Sequence, residues 1–392
     1  MTNELNYLHT QTSDSGLIHS ETPDEPEGAF GERRLLALAN LLDQVHADIL
    51  FSDHFALVQY LCGFRGSNGT LLIDPAREPA AYLCTDGRYL EQATQQAAQH
   101  GVALAVACDP ILGPKGILGP QTPSRVVAVD MSSLSLTNYL ALREAGHELV
   151  DVAGQLATMR AHKDPTEIAA IAEASRVADL AIEATLAHLG DQPTELALAG
   201  WFEYYVRHYG GEGVSFPTIV ASGARTSLPH ARPTRQPIVA PTPVVVDFGA
   251  MVNGYCSDST RSFYLGEPPD AYREAYEQVT AAKAAGVAQL HPGHNVHAVE
   301  EAARASLREH GVEEYLLHGI GHGVGLEIHE QPFTANAFDV HVEPSMCLTV
   351  EPGLYFAGDF GIRLEDLYLT TTSAPTPLTR SSFGISLGGS GH

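Results

Sequence analysis

The spacing of hydrophobic residues changes several times along the chain, and each change predicts a different element. Between residues 30 and 152, amphipathic segments with helical spacing alternate with short apolar runs of strand length. The helical segments are ERRLLALANLLDQVH and LEQATQQAAQH, and the strand-like runs are ADILFS, GTLLIDP, AAYLCTD and RVVAVDM. This alternation predicts an α/β domain, with a mixed sheet and flanking helices.

A long helix with a clear start signal follows. Asp164 suits the N-cap, Pro165 the first turn and Glu167 the acidic position of a capping box, while Gly190 suits the end of the helix. Later segments predict three more helices and several strands between and after them. These helices are TELALAGWFEYYVRHYG, Pro269–Gln289 and Asn295–His310, and strands are expected in FPTIVAS, in PVVVDFGAMVNGYCSDSTRSFYLG and from Tyr315 to Thr372. The second half is therefore predicted to be an α+β domain.

The changes in pattern and polarity divide the chain into four parts. We expect an acidic flexible tail over residues 1–28, an N-terminal domain over 29–155, a second domain over 156–380 and a flexible C-terminus over 381–392.

Composition and charge limit the classes of function that this chain can have. The formal net charge is −25 with only three lysines, and such a surface repels nucleic acid and anionic membranes. The five cysteines have no C-x-x-C spacing, which indicates free thiols in a reducing compartment. We find neither a secretory signal nor an apolar run long enough to span a membrane, and we expect a cytoplasmic protein.

The segment HGIGHGVGLEIHE, residues 318–330, has three histidines and two glutamates. A helical zinc site is a poor interpretation, because the alternating glycines disfavour a helix. The H-E-x-x-H pattern also fails, since Phe333 stands where the second histidine is needed and Pro332 would break the helix. We expect an extended or looped segment whose metal-binding partners lie elsewhere in the chain.

Two aspartates flank a predicted β-hairpin. Asn253-Gly254 is a strong tight-turn dipeptide, and Asp247 and Asp258 lie in the two arms, roughly opposite each other. Two adjacent carboxylates destabilise a sheet unless a cation lies between them. The alternative is that each aspartate merely flanks a turn.

Two glutamates are further candidate metal ligands. Glu351 ends an apolar strand before a Pro-Gly turn, and Glu365 is expected inside another strand, with Arg363 on the same face. Glu365 would either form a surface pair with Arg363 or bind a metal. Four carboxylates and one imidazole suit Mn²⁺, Co²⁺ or Zn²⁺, and two bridged ions can activate a water for hydrolysis.

These segments resemble a known family. DFGAMVNGYCSDSTRS, HGIGHGVGLEIHE, EPGLY and GIRLED, in this order, are similar to the pita-bread metallopeptidases, which include Xaa-Pro aminopeptidases, Xaa-Pro dipeptidases (prolidases) and methionine aminopeptidases. YLCGFRGSNGTLLID, LCTDGRYLEQA and TSLPH resemble the proline-specific members. The resemblance implies a creatinase/prolidase-like N-terminal domain of α/β type, followed by an α+β pita-bread catalytic domain.

The resemblance also implies a ligand set. The metal ligands would be Asp247, Asp258, His322, Glu351 and Glu365. Asp258 and Glu365 would bridge two divalent ions, for which Mn²⁺ is the expected metal and Co²⁺ or Zn²⁺ are the alternatives. Asp247 would bind one ion, and His322 and Glu351 the other.

Other residues would act on the substrate. Glu351 would handle the proton of the attacking water, and His230 and His329 would contact the substrate carbonyl. His318 would lie near the proline ring, and Arg363 would hold the bridging glutamate or a nearby histidine. The alternating glycines would let a peptide lie close to the segment 318–330, in which Glu327 and Glu330 receive no role.

From the sequence we expect an enzyme of the Xaa-Pro aminopeptidase type, with proline-containing peptides as substrates and a homodimer as the assembly. The alternative is an Xaa-Pro dipeptidase, which needs a positive group to bind the free carboxylate of the dipeptide. The candidates for this group are Arg65, Arg88, Arg232 and Arg235. A non-catalytic peptide-binding module is disfavoured, because all five ligand positions are retained.

Overall fold

The computed structural model describes residues 29–108, 110–113 and 115–387. The predicted acidic tail, 1–28, and residues 388–392 of the predicted flexible C-terminus lie outside these ranges.

A mixed sheet with helices on its faces forms the N-terminal half, as predicted. Its elements in chain order are α1 (Ala29–Gln44), β1 (Ile49–Ser52), α2 (Phe55–Cys62), β2 (Gly69–Ile73), β3 (Ala81–Thr85), α3 (Leu90–Gln99), β4 (Leu104–Ala107), β5 (Val126–Val129), α4 (Leu136–Glu144), β6 (Glu148–Asp151) and α5 (Ala153–Ala161). Among the described residues the strand order is β4-β3-β2-β1-β5-β6, with β1 antiparallel to β2 and parallel to β5.

Alternating side chains of the central strands pack on opposite faces of this sheet. On β1, Leu50 belongs to the core under α1 and α2, whereas Phe51 packs with Leu72 and Val127 on the other face. Burial on both faces stabilises the central strands, since each fully buried side chain of this size contributes roughly 1.5–3 kcal/mol.

The second half combines α-helices of 13 to 22 residues with short strands. Its elements in chain order are α6 (Pro165–Leu186), α7 (Glu195–His208), β7 (Gly213–Val214), β8 (Ile219–Ser222), β9 (Thr242–Phe248), β10 (Ala250–Val252), β11 (Tyr255–Cys256), β12 (Ser259–Leu265), α8 (Asp270–Val287), α9 (His297–Glu309), β13 (His322–Gly323), β14 (Glu330–Phe333), β15 (Cys347–Val350), β16 (Gly353–Phe356), β17 (Phe360–Arg363), β18 (Asp366–Leu369), β19 (Thr376–Pro377) and β20 (Ser386–Leu387).

Two helix pairs cover two separate sheets. Phe202 of α7 packs in the core of the sheet β20-β12-β9-β8, and Val279 of α8 packs in the core of the sheet β14-β13-β15-β18-β19. The hairpin β16-β17 lies between them, since the hydroxyl of Ser262 on β12 hydrogen-bonds the backbone of Arg363 on β17. This junction of the two sheets holds the candidate site.

The start of α6 follows the predicted capping box. The Asp164 side chain accepts hydrogen bonds from the backbone of Thr166 and Glu167, and the Glu167 carboxylate accepts one from the Asp164 backbone. The predicted end at Gly190 is wrong for the α-helix, because α6 ends at Leu186 and continues as a 3-10 helix over Ala187–Asp191.

The predicted domain limits at residues 155/156 and 380/381 do not coincide with breaks in the structure. The position between residues 155 and 156 falls inside α5, so we propose that the domain boundary lies after α5 instead. In the predicted flexible C-terminus, Ser381 is buried and accepts a hydrogen bond from Arg261, and β20 pairs with β12. Residues 381–387 are therefore docked on the second domain.

The five cysteines all lie in the described part of the chain and form no disulfide, as predicted. Among the helices of the described residues, none combines the length and the apolar character that a membrane span requires.

Candidate metal centre

The predicted hairpin places the two aspartates. Asn253 and Gly254 both have positive φ angles, 51° and 78°, as a two-residue turn of this kind requires. Strand β9 pairs with β12 so that Thr260 lies opposite Asp247. Asp258 immediately precedes β12, and the two aspartates are therefore diagonal neighbours across the hairpin.

Three of the predicted ligands converge in the interior. Asp258, His322 and Glu365 are all buried, and one side-chain ligand atom of each lies within 4.8 Å of the others. The Nε2 atom of His322 lies 3.6 Å from Asp258 Oδ2 and 3.4 Å from Glu351 Oε1, which adds the fourth residue. His322 begins β13, an extended segment, so the expectation of a non-helical histidine is confirmed.

Glu351 and Glu365 both lie just outside strands. Glu351 follows β15, as expected, whereas Glu365 lies between β17 and β18 and not inside a strand. Strand β17 pairs with β16 and β18 pairs with β15, so the chain changes partner at Glu365. This break turns the carboxylate towards Thr260, whose hydroxyl donates a hydrogen bond of 2.7 Å to Glu365 Oε2.

Arg363 holds the fifth predicted ligand. Its guanidinium donates hydrogen bonds to Asp247 Oδ2 at 2.5 Å and to the Tyr355 hydroxyl at 3.0 Å. The side chain is buried, so the alternative of a surface pair with Glu365 is wrong. The other oxygen of Asp247, Oδ1, is buried and has no hydrogen-bond partner among the described residues.

Burial and mutual repulsion dominate the electrostatics of the carboxylates. Burial, together with the nearby Glu365 and Asp247 charges, raises the pKa of Asp258 well above its usual value. Burial, with Glu351 and Asp247, raises the pKa of Glu365 to about 8. Glu351 differs, because its hydrogen bond to His322 and the charge of that imidazole outweigh burial and lower its pKa to about 2.

The donor set fits divalent metal ions. Asp247, Asp258 and Glu365 are buried, and Glu351 is half-buried. Four carboxylates this close cannot all ionise beside one arginine, and additional positive charge is needed to hold them together. Asp247 Oδ1 is an orphaned buried acceptor, which a cation would satisfy. Carboxylate oxygens with one imidazole nitrogen suit Mn²⁺, Co²⁺ or Zn²⁺.

Three further histidines surround this cluster. His318 Nε2 lies 2.8 Å from the Tyr355 hydroxyl, and burial lowers its pKa. His329 is exposed, and its ring centroid lies 4.4 Å from that of His322. Burial of part of the ring and the His322 charge lower the pKa of His329, which favours a neutral imidazole. His230 is exposed and close enough to affect the pKa of both His318 and His329.

Two hydroxyl groups were missed in the sequence. The Thr260 hydroxyl donates to Glu365 and accepts a hydrogen bond of 3.0 Å from Arg363 Nε. The Tyr355 hydroxyl joins Arg363 to His318. Both lie in the quoted motifs, but threonine and tyrosine are common in strands, and no pattern distinguishes a supporting hydroxyl.

The alternating glycines have a different role from the one expected. A Cβ atom on Gly321 would lie 2.1 Å from the Thr349 carbonyl oxygen, and one on Gly323 would lie 2.5 Å from the Gln331 carbonyl oxygen. Glycine is needed at these positions because neighbouring backbone approaches closely. These contacts are internal to the domain, so the glycines position His322 and do not make room for a peptide.

Two family models match the chain. Residues 169–372 match the model described as Metallopeptidase family M24, and residues 34–162 match the Creatinase/Prolidase N-terminal domain.

Proteins of known sequence or structure are similar over most of the chain. An Xaa-Pro dipeptidase from Lactobacillus delbrueckii subsp. lactis is 34% identical over 65% of this chain and 70% of its own length. The structure of an Xaa-Pro dipeptidase from Bacillus anthracis is 32% identical, with a TM-score of 0.83 over 91% of this chain and 100% of that chain. The X-Pro aminopeptidase from Thermotoga maritima MSB8 is 30% identical, with a TM-score of 0.81 over 91% of this chain and 99% of that chain.

Proposed function

The chain belongs to metallopeptidase family M24, and we propose that it hydrolyses the bond between an N-terminal residue and a following proline, as an Xaa-Pro dipeptidase. Membership confirms the predicted enzyme class and the predicted fold, an α/β N-terminal domain followed by an α+β pita-bread domain. The observation that carries the proposal is the buried cluster of carboxylates beside His322, with three more histidines around it.

Peptidases of this family use two divalent metal ions. The residues that would hold these ions are the predicted ligands, Asp247, Asp258, His322, Glu351 and Glu365. Mn²⁺ is the proposed metal. When bound, the ions would lower the pKa of a water and polarise the scissile carbonyl.

The side chains of the protein supply proton transfer and orientation. The hydrogen bond and charge of His322 lower the pKa of Glu351, so Glu351 is ionised and its carboxylate is free to accept the proton of the attacking water. The same proton can then pass to the proline nitrogen as the C–N bond breaks. An Xaa-Pro amide nitrogen carries no hydrogen of its own, so this proton converts it into the secondary amine of the departing proline.

The histidines would stabilise the charge that develops on the carbonyl oxygen. His329 and His230 lie near each other at the exposed side of the cluster, where imidazole N–H groups can donate to this oxygen. His318 is fixed by Tyr355, which Arg363 holds in turn, and so forms a rigid wall for the proline ring. Arg363 also orients Asp247.

The relatives favour a dipeptidase over the aminopeptidase that we first predicted. A dipeptidase needs a free cation for the substrate carboxylate, and Arg65 and Arg88 do not fit because each pairs with a neighbouring acid, Glu212 or Asp86. Arg232 is exposed, forms no ion pair within the described residues and follows His230 by two positions. We propose Arg232 as the group that binds this carboxylate.

One observation favours the aminopeptidase as a second candidate. In the cleft of about 460 Å³ beside His329, Arg160 is the only Lys or Arg side chain among the described lining residues, and two glutamates already bind it. A longer peptide needs no cation there, and the aminopeptidase from Thermotoga maritima shares the fold.

Peptide length decides between the two activities. With Mn²⁺ added, we expect hydrolysis of Ala-Pro and little or no hydrolysis of Ala-Pro-Ala. Arg232→Ala should raise KM for Ala-Pro by about tenfold or more, as expected for loss of a charged hydrogen bond. Arg235→Ala, which removes another exposed arginine nearby, is the matched control and should leave KM unchanged. Preferred cleavage of Ala-Pro-Ala would establish the aminopeptidase instead.

The cytoplasmic location and the homodimer stay predictions.

A further inference from the structure

The turn that carries His329 has a glutamate on either side, Glu327 and Glu330, and neither has a part in the proposed reaction. Glu330 begins β14, and its side chain is only 6% exposed, whereas that of Glu327 is 40% exposed. A buried carboxylate is costly unless it is paired and hydrogen-bonded. The burial of Glu330 therefore needs a cation, and the chain supplies two.

Both cations come from the connection between the two domains. Lys163 Nζ lies 2.7 Å from Glu330 Oε1, and Arg160 Nη2 lies 2.5 Å from Glu330 Oε2. The other terminal nitrogen of Arg160 lies 2.7 Å from Glu327 Oε2. Burial lowers the pKa of Arg160, but the charges of Glu330 and Glu327 outweigh this and raise it, so the guanidinium remains charged.

Arg160 lies in the last turn of α5, and Lys163 lies just before the N-cap of α6. The two side chains are 12% and 1% exposed, so water hardly screens these ion pairs. We call Arg160, Lys163 and Glu330 the linker clamp.

The turn is shaped to receive this clamp. A Cβ atom on Gly325 would lie 2.3 Å from Glu330 Oε1, so the carboxylate folds back over the glycine. The Gly325 carbonyl accepts a hydrogen bond of 2.8 Å from the Cys256 backbone. From the N-terminal domain, His54 Nε2 reaches within 3.3 Å of Glu327, and Leu326 packs against the N-terminal core. The turn is thus fixed to both domains.

His329 is the last residue of the turn, and Glu330 is the first residue of β14. Glu330 points to the linker, and the preceding His329 lies over His322, with 4.4 Å between the ring centroids. Fixing Glu330 therefore fixes the backbone from which the His329 imidazole extends. We propose that Arg160 and Lys163 are positioning residues, which act through Glu330 to hold His329 beside the metal centre. The catalytic part of this inference rests on the proposed function.

Removing a clamp cation should lower turnover without removing metal. We expect Arg160→Met to reduce kcat by about 10- to 100-fold, the range typical of residues that orient a site side chain. KM should change little, and the metal content per chain should equal that of the wild type. Arg160→Lys retains a positive charge for Glu330 and should recover most of the lost turnover.

Gly325→Ala tests the clamp without removing a charge. The added methyl group would displace the Glu330 carboxylate, and the loss of kcat should match that of Arg160→Met. This variant also serves if Arg160→Met folds poorly. Wild-type turnover in folded Gly325→Ala would overturn the proposal.

Arg34→Met is the matched control. Arg34 is 6% exposed and forms ion pairs with Asp164 and Glu167 at the same domain junction, but it does not contact the turn. We expect its kcat, per folded molecule, to stay near the wild-type value. An equal loss in this variant would show that the effect comes from general loosening of the junction, and would overturn the proposal.

A double-mutant cycle separates positioning of His329 from other effects. If Arg160 acts through His329, then Arg160→Met should cause no further loss of kcat in a His329→Ala background. Additive losses in the double variant would contradict the proposal.

A crystal structure of Arg160→Met gives a readout that does not depend on activity. We expect the His329 ring to leave its position 4.4 Å from His322, and an unchanged ring would overturn the proposal. If the wild-type protein cleaves no Xaa-Pro peptide, the proposed function fails, while this structural comparison still decides whether the clamp positions His329.

Discussion

Each acidic residue of the metal centre is held by a neighbour of a different kind. Arg363 binds Asp247, Thr260 donates to Glu365, and His322 lies beside both Asp258 and Glu351. In a buried site such partners determine which oxygen remains available for a metal, because every carboxylate carries two. The centre is therefore organised by its supporting side chains as well as by its proposed ligands.

The sequence predicted the proposed ligands better than their supports. A carboxylate is seldom buried unless it is paired or binds a metal, so Asp258 and Glu365 were recognisable beside apolar strand segments. The partner of Arg363 was not predictable, since Asp247 lies on a different strand and reaches it only through the packing of β9 against β17. Arg363 and Glu365 are close in sequence and both contact the Thr260 hydroxyl, but the carboxylate that Arg363 binds is that of Asp247.

Thr260 offers a direct test of a supporting residue. In Thr260→Val the shape of the side chain is kept, but Glu365 loses its 2.7 Å hydrogen bond. We expect metal affinity to fall by about 10- to 100-fold, because the carboxylate is no longer oriented. Titration of the apoprotein with Mn²⁺ in a calorimeter measures this.

Ser262→Ala is the control for this substitution. Ser262 is buried on the same strand, but its hydroxyl bonds only the backbone of Arg363 and no proposed ligand side chain. Metal affinity should stay within a few-fold of the wild type. Equal affinities for Thr260→Val and the wild type would mean that Thr260 does not support the centre.

Among the elements, those with an exposed face and a marked end were predictable. The amphipathic α1 and the capped α6 appeared where their spacing and end signals placed them. Helix α2 was missed because all its residues after Phe55 are buried, which removes the alternation of polar and apolar positions. Strand β4 was missed as well: two of its four residues are alanines, which are depleted in strands, and all four are half-buried.

The capping box of α6 also joins the two domains, and this makes Asp164 a sensitive position. Asp164 caps the helix and forms an ion pair with the buried Arg34 of α1. Asp164→Ala should lower the free energy of unfolding by about 2–3 kcal/mol, from the lost cap and from the weakened pairing of Arg34. Urea unfolding followed by circular dichroism measures this change.

Thr194→Ala provides the comparison. Thr194 caps α7 through one hydrogen bond to the Ala197 backbone and pairs with no cation. Loss of this cap should lower the free energy of unfolding by about 1 kcal/mol, the typical contribution of an N-cap. If both substitutions cost the same, the contact between Asp164 and Arg34 contributes nothing measurable.

Buried ion pairs stabilise the junction of the two domains. Arg34 and the linker clamp lie at either end of the segment that connects α5 to α6. The sequence indicated two domains but placed their boundary inside α5, because the short β6 and α5 lack clear end signals. Contacts between distant charged residues depend on the packed fold, and no local pattern encodes them.

His100 should make this junction sensitive to pH. Burial and the charge of Arg34 lower its pKa to about 4, and in the unfolded chain the value is about 6.5. Between these values the unfolded state binds more protons, so the free energy of unfolding falls as the pH drops, by up to about 1.4 kcal/mol per pH unit. Denaturant unfolding between pH 6.5 and 5 measures the slope.

His100→Gln removes this titrating group and should reduce the slope, while His318 and His329, whose pKa values are also lowered, still contribute to it. Asp164 also faces Arg34, but its pKa is lowered, so it stays ionised over this pH range. The same slope in the variant and in the wild type would show that His100 does not control the pH response.

We propose that Asp247, Asp258, His322, Glu351 and Glu365 form a dinuclear metal centre that hydrolyses Xaa-Pro bonds. The most direct test measures Mn²⁺ bound per chain and the rate of Ala-Pro hydrolysis in the same samples of wild-type protein, Asp258→Ala and Glu365→Ala. We predict about two ions per wild-type chain, and loss of both metal and activity in each variant. Near-wild-type hydrolysis in either variant, or a wild-type protein that binds no metal, would show that these five residues do not form a catalytic metal centre.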